Sequence, residues 1–485
     1  MEEVPILKHL KILPLAALAT ACTNSSDSDG EAEQARLAAI AYNPAPRIAV
    51  EGAPLSYASL EQYAKELGIP AAGYALFKDG ELIHQEFVGE DIGPDSLFQS
   101  ASLSKAVAAA TIAILAEREG VSLDEDIAPY ITSFDLTSVK GYQAPVTLRE
   151  LLSHTSQSDV GGFAGYPRTD PIPSNVDVIF GSDATNSKPV EFTQEEGKWY
   201  YSGGGYQIAQ AFAEDVSNKS FGDLAKDLVL DPVGMERSAF IIALDPQAVA
   251  PLFPVEGFER SGAVEGGWHN FPELAAAGLW TTAEDYGKFI VAVMEAAGGE
   301  TNTGLPTSVA KDMLTVVGDT GRSRGYGLGL GILMAEDGTV ESFEHHGSNT
   351  GYRASFSAFP KDRAVSVVMT NHPDGIQLAT ESNRGFGANL GYDDPVARTV
   401  VRKAMSEKVA QSCLGEFSNQ DEPASTINLL QQDGKAVLRN KDGDYGLVHL
   451  GDGEFIYPNL GITVTCDHSK IPSRVSLQGS TFLKN

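Results

Sequence analysis

Two stretches of alternating apolar and polar residues, AGYALFKDGELIHQEFVG at 72–89 and GYRASFSAFPKDRAVSVVMTN at 351–371, constrain the fold of this 485-residue chain more than any other feature. Each keeps the period of two that places alternate side chains on one face of a strand. Each also breaks at a turn, Lys78-Asp79-Gly80 in the first and Pro360-Lys361-Asp362 in the second. Both therefore read as β-hairpins. The chain between them is helical in character, most clearly over Leu103 to Glu119, an apolar, alanine-rich run that stops before Gly120. Strands near both ends of a domain with helices between them imply an α/β (α+β) sandwich. The terminal strands would meet in one antiparallel sheet flanked by helices.

From about residue 410 the pattern changes. Short runs such as INLLQQ, KAVLRN and GLVHL are separated by Asp-Gly turns, which predicts a small all-β domain over 410–485. Cys413 and Cys466 both fall in it and form a candidate disulfide if the chain is exported. The main domain is expected over 47–395. At 42% hydrophobic residues the chain has enough apolar surface to bury a core in each unit.

The N-terminus has features of an export signal. Lys8 and Lys11 precede an apolar stretch, Ile12 to Ala19, too short to span a bilayer as a mature helix, and LATAC follows at 18–22. The arrangement resembles a bacterial lipoprotein signal. Cleavage after residue 21 would leave Cys22 as a lipidated first residue, anchoring a periplasmic protein to a membrane. A cleaved secretory signal with an incidental cysteine is the other reading, and both carry the protein out of the cytoplasm. Residues 23–35, TNSSDSDGEAEQA, are polar and acidic without periodicity, so 22–46 is expected to be a flexible tether.

Charge narrows the partners. Lysine and arginine number 35 against 65 acidic residues, a net charge of −30 spread along the chain, which argues against nucleic acid. The acidic excess is the composition of a solvated surface. The nine histidines form no HExxH or other ligand-spaced cluster, so neither a metal nor another cofactor is expected.

The segment FQSASLSKAV, 98–107, carries candidate chemistry. Residues three apart on a helix share a face, and Ser102 with Lys105 is the one pairing here that brings a hydroxyl to a base. Ser102 also stands at a helix start, where unpaired N–H groups favour developing negative charge. Ser100 is the expected N-cap, and Ser104 points elsewhere. The spacing alone has little force, because Ser308 and Lys311 repeat it in an ordinary amphipathic segment. WYYSGGGY at 199–206 reads either as aromatic core packing or as a tight active-site loop. GYGLGLG at 325–331 reads as a packed strand without chemistry, and His154 as a residue holding a helix end.

Several segments in order add a resemblance: FQSASLSKAVAAATIAILAEREGVSLDEDIAPYI, VTLRELLSHTS, GKWYYSGGGYQIAQAFAEDVSNKSF, LVLDPVGMERSAF, AAAGLWTTAEDYGKF and HHGSNTGYRASFSAFP. Over roughly residues 50–375 the chain resembles the serine β-lactamase and penicillin-binding-protein superfamily. The likeness is greatest to the class C β-lactamase branch with its related esterases and D-amino-acid peptidases. The resemblance implies the sandwich fold of that group, with Ser102 as nucleophile, Lys105 as its partner and Tyr201 as catalytic tyrosine. It matches His345-His346-Gly347 to the Lys-Thr-Gly strand element, and it assigns the oxyanion hole to the N–H groups of Ser102 and Ser348.

Two departures bear on substrate. Gly203 stands where the family's β-lactamases carry an asparagine that holds the substrate, and His345 stands where they carry lysine. A histidine near its ordinary pKa is mostly neutral at pH 7 and attracts a carboxylate weakly. With His345, Gly347 and Gly203 at the substrate, the resemblance implies hydrolysis of an ester, an amide or a D-amino-acid peptide. The alternatives are a lipid-anchored cell-wall or peptide-binding protein with little turnover, and a weak β-lactamase. The implied partner is a small-molecule or peptide substrate, and oligomeric state is open.

Overall fold

The computed structural model describes residues 43–45, 48–51, 59–321, 324–392 and 398–485, the last span with breaks at 421–424, 433, 441–442, 459–461 and 478–479. The export-signal reading and Cys22 lie outside the described residues. Of the expected tether, the described end is packed rather than loose: the Ala45 N–H donates to the Glu381 carbonyl at 2.8 Å, and Arg384 donates to the Ala45 carbonyl at 2.9 Å.

Both expected hairpins form and meet in one sheet. The first is β1 (Ala72–Lys78) and β2 (Glu81–Val88). Four further strands precede the second hairpin or open it: β3 (Gly318–Gly321), β4 (Arg324–Tyr326), β5 (Gly331–Met334) and β6 (Val340–Asn349). The second hairpin is β7 (Tyr352–Phe359) and β8 (Ala364–Thr370). The order is β3-β4-β5-β6-β7-β8-β1-β2, antiparallel throughout, so β8 pairs with β1 across the length of the domain. That long-range pairing is what the two separated period-two patterns require. GYGLGLG is not one strand, however. It leaves β4 at Tyr326, turns, and enters β5 at Gly331. The turn brings Gly329, at a φ of 73°, so close to α1 that a Cβ there would stand 2.7 Å from the Lys105 carbonyl.

The helices follow from their sequences. α1 (Ser104–Glu119) is buried on every side from Ser104 to Ala116, as an alanine-rich helix through a core should be. It ends where Gly120 adopts the left-handed conformation, its N–H donating back to the Ala116 and Glu117 carbonyls. α2 (Gly203–Ser217) begins at Ser202, whose hydroxyl accepts from the Gly205 N–H at 3.0 Å. The three glycines thus form a first helical turn rather than the expected loop. α3 (Gly375–Asn389) covers the other face of β7 and β8.

The C-terminal module is a closed barrel of eight strands in sequence order from Gly415 to Lys484, the first pairing with the last. Alternate residues such as Phe417, Leu429, Phe455 and Val475 fill it. Cys413 and Cys466 are joined by a disulfide, tying the helix Glu407–Cys413 to the barrel wall. No described helix is long and apolar enough to cross a membrane.

Candidate active site

Ser102 sits in a single 3-10 turn, Ala101–Leu103, that runs into α1. Ala101 just before it holds a φ of 52°, in the left-handed region that an L residue enters at a cost. Neither flanking serine behaves as expected. The Ser100 side chain makes no cap bond; it donates to the Leu279 carbonyl at 3.1 Å. Ser104 is no bystander, since its hydroxyl donates to the Ala101 carbonyl and accepts from the Leu279 N–H at 3.0 Å. Both are buried and fasten the turn to the neighbouring strand Leu279–Thr281.

One turn along α1, Lys105 is 2% exposed, and its Nζ donates to Ser102 Oγ at 3.2 Å and to the Ala276 carbonyl at 2.9 Å. Among the described residues no carboxylate pairs with it. Its Nζ instead lies 5.0 Å from the ring centre of Tyr201 and 5.5 Å from that of Tyr206. Burial without a counter-charge lowers its pKa to about 7. Packing around the Tyr201 hydroxyl pushes that group's pKa up, and the adjacent Ser102 hydroxyl pulls weakly the other way. Burial penalises charge on both, so an amine and a phenol face Ser102 once the pH exceeds about 7.

His345 reaches the same space from β6 and is 7% exposed. Its Nδ1 lies 2.7 Å from the His346 carbonyl, which only accepts, so Nδ1 carries the hydrogen. Nε2 then accepts from the Tyr326 hydroxyl at 2.8 Å. Burial, then the charges of Lys105 and His346, lower its pKa to about 3. With both nitrogens engaged, His345 offers a substrate its ring and no free N–H. Tyr326, assigned no chemistry from sequence, is the residue that fixes it.

His154 ends the helix Leu148–Ser153 as expected, at a φ of 65°, and does more. Its Nδ1 accepts from the Ser202 N–H at 3.1 Å, and its ring lies 4.4 Å from Tyr201 and 4.7 Å from Tyr326. It thereby links the start of α2 to the aromatic wall of the site. Gly203 does not reach a substrate. A Cβ there would stand 2.8 Å from the ring of Phe163, which fills the place a side chain would need. Gly347 is required by a similar approach, since a Cβ would stand 2.3 Å from the Ser100 carbonyl. β6 can lie against the Ser102 turn only because it is bare at that position.

A cleft of about 660 Å³ is bounded by Ser102, Trp199, Tyr201, Tyr326, His345 and Ser348. A smaller pocket of about 200 Å³ is bounded by Ser102, Lys105, Phe163, Ala276 and Ser348. Ser102 and Ser348 border both. The pairing of β5 with β6 ends at Glu344, which leaves the β6 edge beside the cleft uncovered from His345 onward. The second Ser-x-x-Lys spacing builds nothing comparable: Ser308 donates to Glu117 at 2.6 Å on the surface, and Lys311 is exposed. Among the described residues no group of three or more His, Cys, Asp or Glu side chains is placed to hold a metal.

Comparison with known proteins agrees with this construction. Penicillin-binding protein 4* of Bacillus subtilis is 30% identical over 160 residues, 32% of this chain and 33% of that protein. The chain thus spans about a third of that relative. A D-aminopeptidase of Gluconobacter oxydans is 24% identical over 67% of this chain and 60% of its own length. The esterase EstB of Burkholderia gladioli is 25% identical over 54% of this chain and 72% of its own. Among solved structures, the octameric penicillin-binding protein homologue from Pyrococcus abyssi superposes with a TM-score of 0.55 at 19% identity, covering 88% of this chain and 99% of that one. The beta-lactamase family model matches residues 58–385, a span that contains every element around Ser102, and the chain therefore belongs to the beta-lactamase family, whose members are serine hydrolases.

Proposed function

We propose that the protein hydrolyses an ester, an amide or a D-amino-acid peptide through an acyl-enzyme on Ser102. The observation that carries this reading is the buried Lys105 amine, without a carboxylate partner and 3.2 Å from Ser102 Oγ. In its neutral form Lys105 takes the Ser102 proton as Oγ attacks the carbonyl. The N–H groups of Ser102 and Ser348 stabilise the tetrahedral oxyanion. Tyr201 gives its phenolic proton to the leaving group as the bond breaks, and the Lys105 ammonium restores the phenol. Water then attacks the acyl-enzyme, yields its proton to the same pair, and releases the acid with Ser102 reprotonated.

The substrate class is supported by two observations. A D-aminopeptidase and an esterase are among the relatives. His345, neutral and with both nitrogens engaged, provides no cation for the carboxylate of a β-lactam. An exported setting, with a lipid anchor at Cys22, accords with the disulfide between Cys413 and Cys466. The test is a substrate panel of a small activated ester, an aminoacyl-D-alanine amide and a cephalosporin, run on the wild type and Ser102→Ala. Turnover of the ester or the D-amide that disappears in the variant is expected. Cephalosporin turnover exceeding both would overturn the substrate class, and turnover surviving in Ser102→Ala would overturn the nucleophile. Ligand binding without turnover would favour a binding protein instead.

A further inference from the structure

A separate cavity of about 630 Å³ lies between the main domain and the barrel, walled by Arg260, Arg353 and Gln377 from one and by Arg439, Tyr445 and Tyr457 from the other. Three arginines face it, and two are committed to carboxylates. Arg260 pairs with Asp374, and Arg439 grips Asp444 through Nε at 2.5 Å and Nη2 at 2.6 Å. Arg353 has no such partner among the described residues. Its Nη1 donates to the backbone carbonyls of Asn349 at 2.8 Å and Tyr352 at 2.7 Å, while Nε and Nη2 have no acceptor among the described residues. Glu259 acts on it only through space, one of its oxygens accepting from the Gly351 N–H at 2.9 Å. A half-buried guanidinium with an unfilled donor fork is costly unless something fills it.

The position of Arg353 ties this cavity to the reaction. Arg353 is the cross-strand partner of Ser348, and paired residues on adjacent strands project to the same face. Arg353 and Ile376 line the catalytic cleft as well as the interdomain cavity. The two spaces therefore adjoin at Arg353 and Ile376. On the far side Tyr445 and Tyr457 stand edge to face at 5.5 Å and form an aromatic wall contributed by the barrel.

We propose that Arg353 anchors a carboxylate at the far end of an extended substrate whose scissile bond lies at Ser102, the barrel tyrosines closing the cavity around that end. The planar fork of Nε and Nη2 matches a carboxylate in two parallel hydrogen bonds. This rests on the hydrolase reading and deepens it: the preferred substrate is a chain of a few residues ending in a free carboxylate. The barrel would then be part of substrate selection rather than a separate appendage.

The test uses peptide thioesters, each with a free carboxylate or its methyl ester, placed in one series at the end of the acyl arm and in another at the end of the leaving arm. The quantity read is the ratio of kcat/KM for the free acid to that for the methyl ester. In the full chain this ratio is expected to be about tenfold or more in one series, carried by KM, and to fall towards one in Arg353→Met. Arg353→Lys, which keeps charge but loses the fork, should fall between. Tyr445→Ala on the barrel should reduce the same ratio. A ratio near one in both series, or one unchanged in Arg353→Met, would overturn the proposal. Calorimetric titration of Ser102→Ala with the corresponding amide, free acid against methyl ester, reads the anchor without turnover. Failure of the hydrolase reading and failure of the anchor are thereby told apart, and melting curves establish that each variant is folded.

Discussion

Lys105 bears the proton balance of the mechanism, and its pH dependence follows from burial. With a pKa lowered to about 7, the amine is protonated and unable to accept the Ser102 proton below that value. The rate constant kcat/KM for a neutral ester should therefore rise about tenfold per pH unit below pH 7 and level off above it, an outcome a pH–rate profile checks directly. Lys105→Met should lower kcat/KM by about a thousandfold or more, because burial leaves no second base beside Ser102. Gly203→Asn supplies the amide found in the family's β-lactamases but collides with Phe163. It should cost about 1–3 kcal/mol in a denaturant titration and produce no β-lactam turnover. At this scale the sequence marked Ser102 with Lys105 by their local spacing, and Tyr201 only through the family resemblance. It did not mark Tyr326, whose partner His345 is on another strand, nor the work of Ser104, whose partner at Leu279 is distant in the chain.

Elements hold these residues in register through contacts that local pattern does not reveal. The short helix Leu274–Ala277 presents the Ala276 carbonyl to Lys105, and Glu273 precedes it with its carboxyl wholly buried. Neither Glu273 oxygen has a hydrogen-bond partner among the described residues, and burial raises its pKa to about 8. Between pH 4.5 and 8 the folded chain keeps this proton while the unfolded chain has lost it, so this group's contribution to stability falls as pH rises through that window. Glu273→Gln should accordingly stabilise the protein by about 2 kcal/mol or more at pH 8 and have little effect at pH 4.5, as read from melting curves at the two values. The hairpins and α1 were legible because period two and an unbroken apolar run are local signals. The glycine-rich stretches were misread for a common reason. Gly203 and Gly329 serve close approach to Phe163 and to the backbone of α1, which only the packed structure specifies.

At the scale of the whole molecule, a hydrolase domain with helices on both faces of its sheet and a closed barrel share a wall at Arg260 and Tyr445, the Arg260 guanidinium lying 4.9 Å from the tyrosine ring. The three tryptophans, Trp199, Trp268 and Trp280, all belong to the main domain, so their fluorescence reports its unfolding alone. The disulfide closes a separation of 53 residues around the barrel. Replacing Cys413 and Cys466 by serine should remove about 4 kcal/mol of barrel stability by loop entropy, with the tryptophan transition little moved. A common shift of both transitions would show the units unfold as one. That the C-terminal unit is all-β was legible from short runs broken by Asp-Gly turns, whereas its closure into a barrel and its place beside the cleft were not, because no local pattern records the pairing of first strand with last or the contact between the units. The most direct test of the central claim is intact-mass spectrometry after exposure to a fluorophosphonate and, separately, to a slowly deacylating activated ester. One adduct of the expected mass on the wild type, absent from Ser102→Ala, is the predicted result; an unlabelled but folded wild type, or an adduct retained in the variant, would contradict the acyl-enzyme on Ser102.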